Sequence, residues 1–113
     1  MSTYTKVALS GQSAGTSLIL SSTGTTIHTA AAGSATAWDE IWLYAANATT
    51  SSAQLNLQWG STSAPQQIIC GVSGSSGLLL VAPGLILNNT LAITGYSLPT
   101  SAISIFGYVN RIT

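Results

Sequence analysis

The stretch from residue 38 to residue 47 limits the possible folds of this chain more than any other. It reads Trp-Asp-Glu-Ile-Trp-Leu-Tyr-Ala-Ala-Asn and holds two of the three tryptophans and both acidic residues. Ile41 and Leu43 alternate with Trp42 and Tyr44, which is the period of a β-strand. Because both sets are large and apolar, the pattern predicts a central strand covered on both faces.

Short strands separated by turns account for the rest of the chain. Residues 53–59 alternate apolar and polar side chains, so we expect a strand with one buried face, paired antiparallel with the strand at 38–46. The gap at 22–24 has the size of a hairpin turn and predicts pairing of residues 18–20 with residues 25–30. No segment has a helical pattern.

A Pro-Gly turn signal interrupts an apolar stretch near the middle of the second half. Ala82-Pro83-Gly84 predicts a turn between a buried strand at 78–81 and a second apolar segment at 85–87. Residues 103–109 then alternate on a long last strand. The count is about eight short strands at intervals of about 8–12 residues, which is typical of a sandwich or barrel.

These patterns predict an all-β fold, an antiparallel β-sandwich that is jelly-roll-like or Ig-like. Residues 1–16 are Ser/Thr/Gly-rich and form either an N-terminal arm or an edge segment. Residues 17–113 form a single sandwich domain, with the strands at 38–46, 53–59 and 102–110 in its main core. The aromatic residues are spread over several strands, so we place them in the core rather than on a carbohydrate-binding face.

Charged residues make up only 4 % of the chain, and the net charge is zero. In an ordinary soluble domain about 25 % of the residues are charged. Low net charge gives little mutual repulsion and promotes association, so we expect binding to further copies or to a larger assembly.

With Lys6 and Arg111 as the two basic residues, the chain lacks the positive charge that binding to nucleic acid or to an anionic membrane requires. The longest apolar runs are too short for a membrane span, and the N-terminus has no signal-peptide pattern.

No group of residues predicts catalysis, cofactor binding or metal binding. Asp39 and Glu40 are adjacent on a strand and point to opposite faces, whereas acid–base and metal sites need convergent groups. We expect one of them to form a structural ion pair with Arg111. The single histidine, His28, lacks companion ligands and is expected at the surface or an interface. Cys70 is the only thiol, which fits production in a reducing cytoplasm. We therefore expect a protein that is not an enzyme.

An interface is predicted around the Pro-Gly signal, because apolar side chains that the core cannot hold form protein contacts. The candidate interface residues are Pro83, Gly84, Leu85 and Leu87.

Five segments carry a resemblance to known proteins. They are Thr-Thr-Ile-His-Thr at 25–29, Asp-Glu-Ile-Trp-Leu-Tyr-Ala-Ala-Asn at 39–47, Leu-Gln-Trp-Gly at 57–60, Val-Ala-Pro-Gly-Leu-Ile-Leu-Asn-Asn at 81–89 and Gly-Tyr-Val-Asn-Arg-Ile at 107–112. Together they resemble small virion proteins of tailed bacteriophages, in particular capsid decoration, or cement, proteins.

The resemblance implies a β-rich structural protein on the outer capsid surface, made in the host cytoplasm. It would bind the major capsid protein and stabilise the shell by non-covalent contacts, commonly as a trimer. Two alternatives stay open. One is a tail, neck or head-spike component with the same sandwich, and the other is a carbohydrate-binding module that uses exposed tryptophans.

Overall fold

Nine antiparallel β-strands in two sheets form the sandwich that the sequence patterns predict. The structure, a computed structural model, describes residues 4–11, 17–30, 38–60, 67–87 and 90–112, and these residues contain no helix. In chain order the strands are β1 (Tyr4–Val7), β2 (Leu18–Ile19), β3 (Thr25–Thr29), β4 (Trp38–Asn47), β5 (Ala53–Trp59), β6 (Gln67–Val72), β7 (Leu78–Leu87), β8 (Ala92–Leu98) and β9 (Ile103–Ile112).

Strand β4 lies inside the five-stranded sheet, as predicted. The order is β1-β9-β4-β7, and β2 pairs with β9 beyond the end of β1. Ile41, Leu43 and Ala45 are fully buried against the other sheet. Trp42 and Tyr44 point away from it and are only half-buried. The prediction that β4 is covered on both faces is therefore wrong, and its outer face meets solvent.

Strand β5 belongs to the other sheet, whose order is β3-β8-β5-β6. The predicted pairing of β5 with β4 is wrong because residues 48–52 carry the chain across the sandwich. Asn47 shapes this crossing: its Nδ2 donates to Ser51 O at 2.8 Å and Val72 O at 3.0 Å, and its Oδ1 accepts from Thr49 N at 3.0 Å. These bonds stabilise a connection that crosses to the other sheet, in place of the tight hairpin that would keep both strands in one sheet.

The predicted hairpin around residues 22–24 is wrong for the same reason. Strand β2 pairs with β9 in the five-stranded sheet, whereas β3 pairs with β8 in the other. A connection of hairpin length can also span the gap between the two sheets, which pack about 10 Å apart.

Aliphatic side chains fill the core, and the predicted aromatic core is wrong except for Trp59, which packs against it. Trp38, Trp42 and Trp59 are half-buried. The largest fully buried apolar side chains come from both sheets and from the loops beside them: Leu9, Leu20, Ile27, Ile41, Leu43, Leu55, Leu57, Val72, Ile93, Ile103 and Ile105. Branched aliphatic side chains fit between two pleated surfaces. Trp42, Tyr44 and Phe106 lie on the outer face of their sheet.

Strand β7 runs through the predicted turn without ending. Pro83 lies opposite Trp42, and the register with β4 shifts at two points, so Val81 and Gly84 are extra residues. Gly84 has φ +78°, a left-handed conformation that suits such a bulge. Proline is tolerated because β7 is an edge strand. The predicted turn at 82–84 and the predicted burial of residues 78–81 are therefore both wrong.

The N-terminal segment is tied to both sheets. Strand β1 pairs with β9, Leu9 is buried in the core, and Gly11 N donates to Ile27 O at 2.9 Å. The proposed boundary between residues 16 and 17 borders residues 12–16, which lie outside the described residues.

Candidate functional site

A buried polar network joins the two sheets at one end of the sandwich. His28 on β3 lies 2.7 Å from Asp39 on β4, measured from Nε2 to Oδ2. Arg111 on β9 donates to the same carboxylate, from Nε to Oδ1 at 2.9 Å and from Nη2 to Oδ2 at 3.0 Å. Of the two ion pairs considered with Arg111, the structure shows the one with Asp39. The expectation of a surface or interface His28 is wrong, because this side chain is 1 % exposed.

The tautomer of His28 follows from its two neighbours. Nδ1 accepts from the backbone N–H of Ser10 at 3.0 Å, so it carries no hydrogen. The hydrogen then lies on Nε2, which donates to Asp39. The ring thus connects the segment after β1, strand β3 and strand β4 while satisfying both of its nitrogens.

Serine, histidine and aspartate meet here, but the geometry is not that of a nucleophilic triad. A triad needs the serine hydroxyl on the imidazole nitrogen. Here the nitrogen is bound to the backbone of Ser10, and the Ser10 hydroxyl accepts from Thr29 N at 2.8 Å. No pocket is found in the described part of the chain. The network therefore has the geometry of a structural link.

Charge pairing fixes the ionisation of this network. Burial disfavours the charged form of Asp39, but hydrogen bonds from Arg111 and then from His28 outweigh it and lower the pKa of that carboxyl. The hydrogen bond to Asp39 raises the pKa of Arg111. The carboxylate and the guanidinium stay charged and neutralise each other, so this end of the core carries little net charge.

Glu40 lies on the outer face and has different partners from Asp39. Its Oε1 accepts from Trp42 Nε1 at 2.8 Å and from Asn110 Nδ2 at 3.1 Å. These bonds, the one from Trp42 first, lower the pKa of Glu40. Adjacent acids on opposite faces therefore serve separate networks.

An aromatic row crosses the outer face of the five-stranded sheet. The rings of Trp42 and Tyr108 are stacked, with centroids 6.3 Å apart and planes 13° from parallel. Lys6 Nζ lies 4.6 Å from the centroid of Tyr108. A Cβ at Gly84 would come within 3.0 Å of the Trp42 ring, so the backbone there lies against it. Lys6, the rings of Tyr108 and Trp42, and the backbone at Gly84 therefore lie next to one another, in that order, across the sheet.

The outer face beyond this row carries no charge and is apolar except for Ser104, which lies opposite Ala46. Tyr44 lies opposite Phe106 on one side and Leu80 on the other, and Ala46 lies opposite Leu78. Residues directly opposite each other share a face. Leu78, Leu80 and Phe106 are exposed. We call the patch formed by Tyr44, Ala46, Leu78, Leu80 and Phe106 the apolar end.

All four charged side chains lie at the opposite end of the same sheet. Arg111 lies opposite Asp39, and Asn110 lies opposite both Lys6 and Glu40, so the charges occupy two adjacent rows. Sequence reasoning missed this segregation because it depends on strand pairing. Part of its signal is local, since Asp39 and Glu40 stand at the start of β4 and Arg111 near the end of β9.

The candidate interface residues around Pro83 have different environments. Pro83 and Leu85 are exposed, and Gly84 is half-buried against Trp42. Leu87 is 5 % exposed and belongs to the core, so its assignment to an interface is wrong. It lies on the inner side of β7, opposite Asp39.

The described residues hold no group of three or more His, Cys, Asp or Glu side chains arranged for a metal ion. Cys70 is half-buried, and burial raises the pKa of its thiol, which disfavours the reactive thiolate. No helix in the described ranges is long and apolar enough to cross a membrane.

An antiparallel β-sandwich with an apolar end on the outer face of one sheet is therefore the class of protein that the fold and surface define. No family model matches the chain, and neither the curated proteins nor the solved structures yield a match.

Proposed function

We propose that the protein is a structural component of a tailed-phage virion, a capsid decoration or cement protein. It sits on the outer capsid surface, contacts the major capsid protein through the apolar end, and stabilises the shell without covalent chemistry. It acts as a homo-oligomer; the phage resemblance implies a trimer, whereas the exposed edge of β7 favours a dimer.

The exposed apolar end is the observation that carries this proposal. Contiguous exposed apolar patches on soluble proteins mark sites of interaction. Here Leu78, Leu80 and Phe106 face outwards at the end of the sheet that lacks charge. Burying such a patch against a neighbour supplies about 25 cal/mol per Å² of apolar area and involves no ion pair.

The carbohydrate-binding alternative is less well supported by the ring geometry. A sugar stacks on an open aromatic face, but Tyr108 lies between Lys6 and Trp42, and Trp42 lies between Tyr108 and Gly84. A tail, neck or head-spike component would use the same apolar surface and differs only in its place on the particle.

Phe106→Lys tests the proposal, because it puts a charge in the apolar end without altering an edge strand. Ile69→Lys on β6 is the matched control: Phe106 is 36 % exposed and Ile69 is 57 % exposed, and they lie on different sheets. Shells are purified from phage that lacks this chain, and rebinding is measured by co-sedimentation.

We expect wild type and Ile69→Lys to rebind alike and Phe106→Lys to bind at least about tenfold more weakly, since a desolvated charge costs more than about 1.4 kcal/mol. Failure of the wild type to bind shells refutes the capsid role. Binding confined to the tail or to one vertex, seen by electron microscopy, favours the alternative virion role.

A further inference from the structure

We propose that strand β7 pairs antiparallel with β7 of a second copy of this chain, across a two-fold axis that passes near Ala82. The two five-stranded sheets then form one continuous sheet. This pairing concerns copies of the chain alone and does not depend on the capsid proposal.

The edge that β7 presents is long and apolar. It is ten residues long and pairs with β4 on one side, and no other described strand pairs with it. Eleven large hydrophobic side chains are exposed among the described residues, and five of them lie on this strand: Leu78, Leu79, Leu80, Leu85 and Ile86. An exposed apolar edge offers unpaired backbone groups and side-chain contacts to another strand.

The lack of charge favours a second copy as the occupant. A two-fold interface places the same patch against itself, so a charge near the axis meets its own like charge. Strand β7 contains no charged residue. The neighbouring strand β4 has two charged residues, Asp39 and Glu40. They lie opposite Leu87 and Ile86, at the C-terminal end of β7 and away from the proposed axis. A neutral apolar edge is complementary to itself.

Side-chain facing selects the register. Leu79 and Leu85 lie opposite Ala45 and Ile41, which point into the sandwich. Leu78 and Ile86 lie opposite Ala46 and Glu40, which point outwards. With the axis near Ala82, Leu79 of one copy faces Leu85 of the other, and Leu78 faces Ile86. A shift of one residue sets inward side chains against outward ones.

Regular pairing between the two copies of β7 is restricted to the two ends of the strand, because its centre is irregular. Pro83 has no N–H to donate, and the extra residues Val81 and Gly84 disturb the ladder on either side. Residues 78–79 and 85–86 lie outside these irregularities, and each pair faces the other pair in the second copy. Two separated contacts fix one orientation and resist sliding.

Two charge variants test the register. Leu79→Lys and Leu85→Glu alter residues that are 41 % and 40 % exposed and that lie on the inner side of β7, away from the apolar end. Ile69→Lys on the edge strand β6 is again the control. Molar mass is measured by light scattering after size exclusion over a range of concentrations. Near-ultraviolet circular dichroism checks that each variant is folded.

We expect wild type and Ile69→Lys to have about twice the 11.5 kDa mass of one chain. Each charged variant alone should dissociate at least about tenfold more readily. An equal mixture of the two should recover the dimer, because the introduced lysine of one chain then meets the introduced glutamate of the other, while the second pair remains leucine against leucine. If one variant does not fold, the other still tests the edge.

A monomeric wild type, a three-chain mass, a dimer insensitive to both charges, or dissociation by Ile69→Lys would each overturn the proposal. Failure of the mixture to associate would refute this register. These results are independent of shell binding, because Phe106 lies on β9 and reports the apolar end separately.

Discussion

Asp39 connects segments of the chain that are far apart in sequence. It accepts from Arg111 of β9 and from His28 of β3, and its side chain is buried. Asp39→Asn removes the charge and weakens these bonds. We expect the free energy of unfolding at neutral pH to fall by about 2–3 kcal/mol, because hydrogen bonds to buried charged groups contribute about this much. Urea denaturation measures the loss.

The same substitution should change the acid sensitivity of the fold. Because the pKa of Asp39 is lowered in the folded state, its contribution is complete above the unfolded value and is lost as the pH falls through the folded one. Wild type should therefore lose stability below about pH 4, and Asp39→Asn should lose less. Glu40→Gln is the control, with a smaller effect because Glu40 is on the outer face. Equal acid loss in wild type and Asp39→Asn would contradict the assignment.

At the scale of single residues, local sequence predicted which way a side chain points but not what it meets. Asp39 and Glu40 were expected on opposite faces, and they have separate partners. The burial of His28 was missed because its acceptor lies 11 residues away and the arginine behind it belongs to the last strand. The neighbours of His28 in sequence, Ile27 and Thr29, give no indication of these distant partners.

At the scale of elements, Gly107 on β9 determines how closely two strands approach. A Cβ at this position would overlap the carbonyl oxygen of Trp42 on β4. We expect Gly107→Ala to lower the free energy of unfolding by about 1–3 kcal/mol or more, since the obstacle is backbone. Gly71→Ala on β6 is the matched control: its Cβ would meet nothing within 4 Å, so the change should stay within about 1 kcal/mol. Thermal unfolding compares the two, and equal losses would contradict the close approach.

Strands were predictable where apolar residues alternate, because the two-residue period is a local property. Strands β4, β5 and β9 were recognised in this way. Their partners were not, since neighbours in sequence pair only about two-thirds of the time. Here the chain changes sheets six times, after β2, β3, β4, β6, β7 and β8. The apolar run in β7 suggested burial, whereas its position at the edge exposes it.

At the scale of the whole molecule, the contacts proposed here should respond weakly to salt. The apolar end and β7 contain no charged residue, and the four charges lie together at the other end of the sheet. We expect dimer and shell binding to hold or strengthen at about 1 M NaCl, where screening acts beyond about 3 Å. Sedimentation at low and high salt measures this, and dissociation at high salt would show that ion pairs dominate.

The all-β sandwich was predictable from strand count and spacing, since no segment has a helical period and turn residues recur along the chain. The segregation of charge and the location of the open edge were not. Both depend on which strands lie side by side, and a composition with 4 % charged residues says nothing about where they gather.

Pairing of the two terminal strands also governs how a protease can attack this molecule. Trypsin cleaves after lysine or arginine, and the chain offers only Lys6 and Arg111. Thr5 lies opposite Arg111 in the ladder between β1 and β9. The connections between strands therefore offer trypsin no target, and either cut requires the same ladder to open. A cut after Arg111 also requires β9 to leave β4, so the digestion rate at Lys6 is the one that reports how often β1 separates from β9.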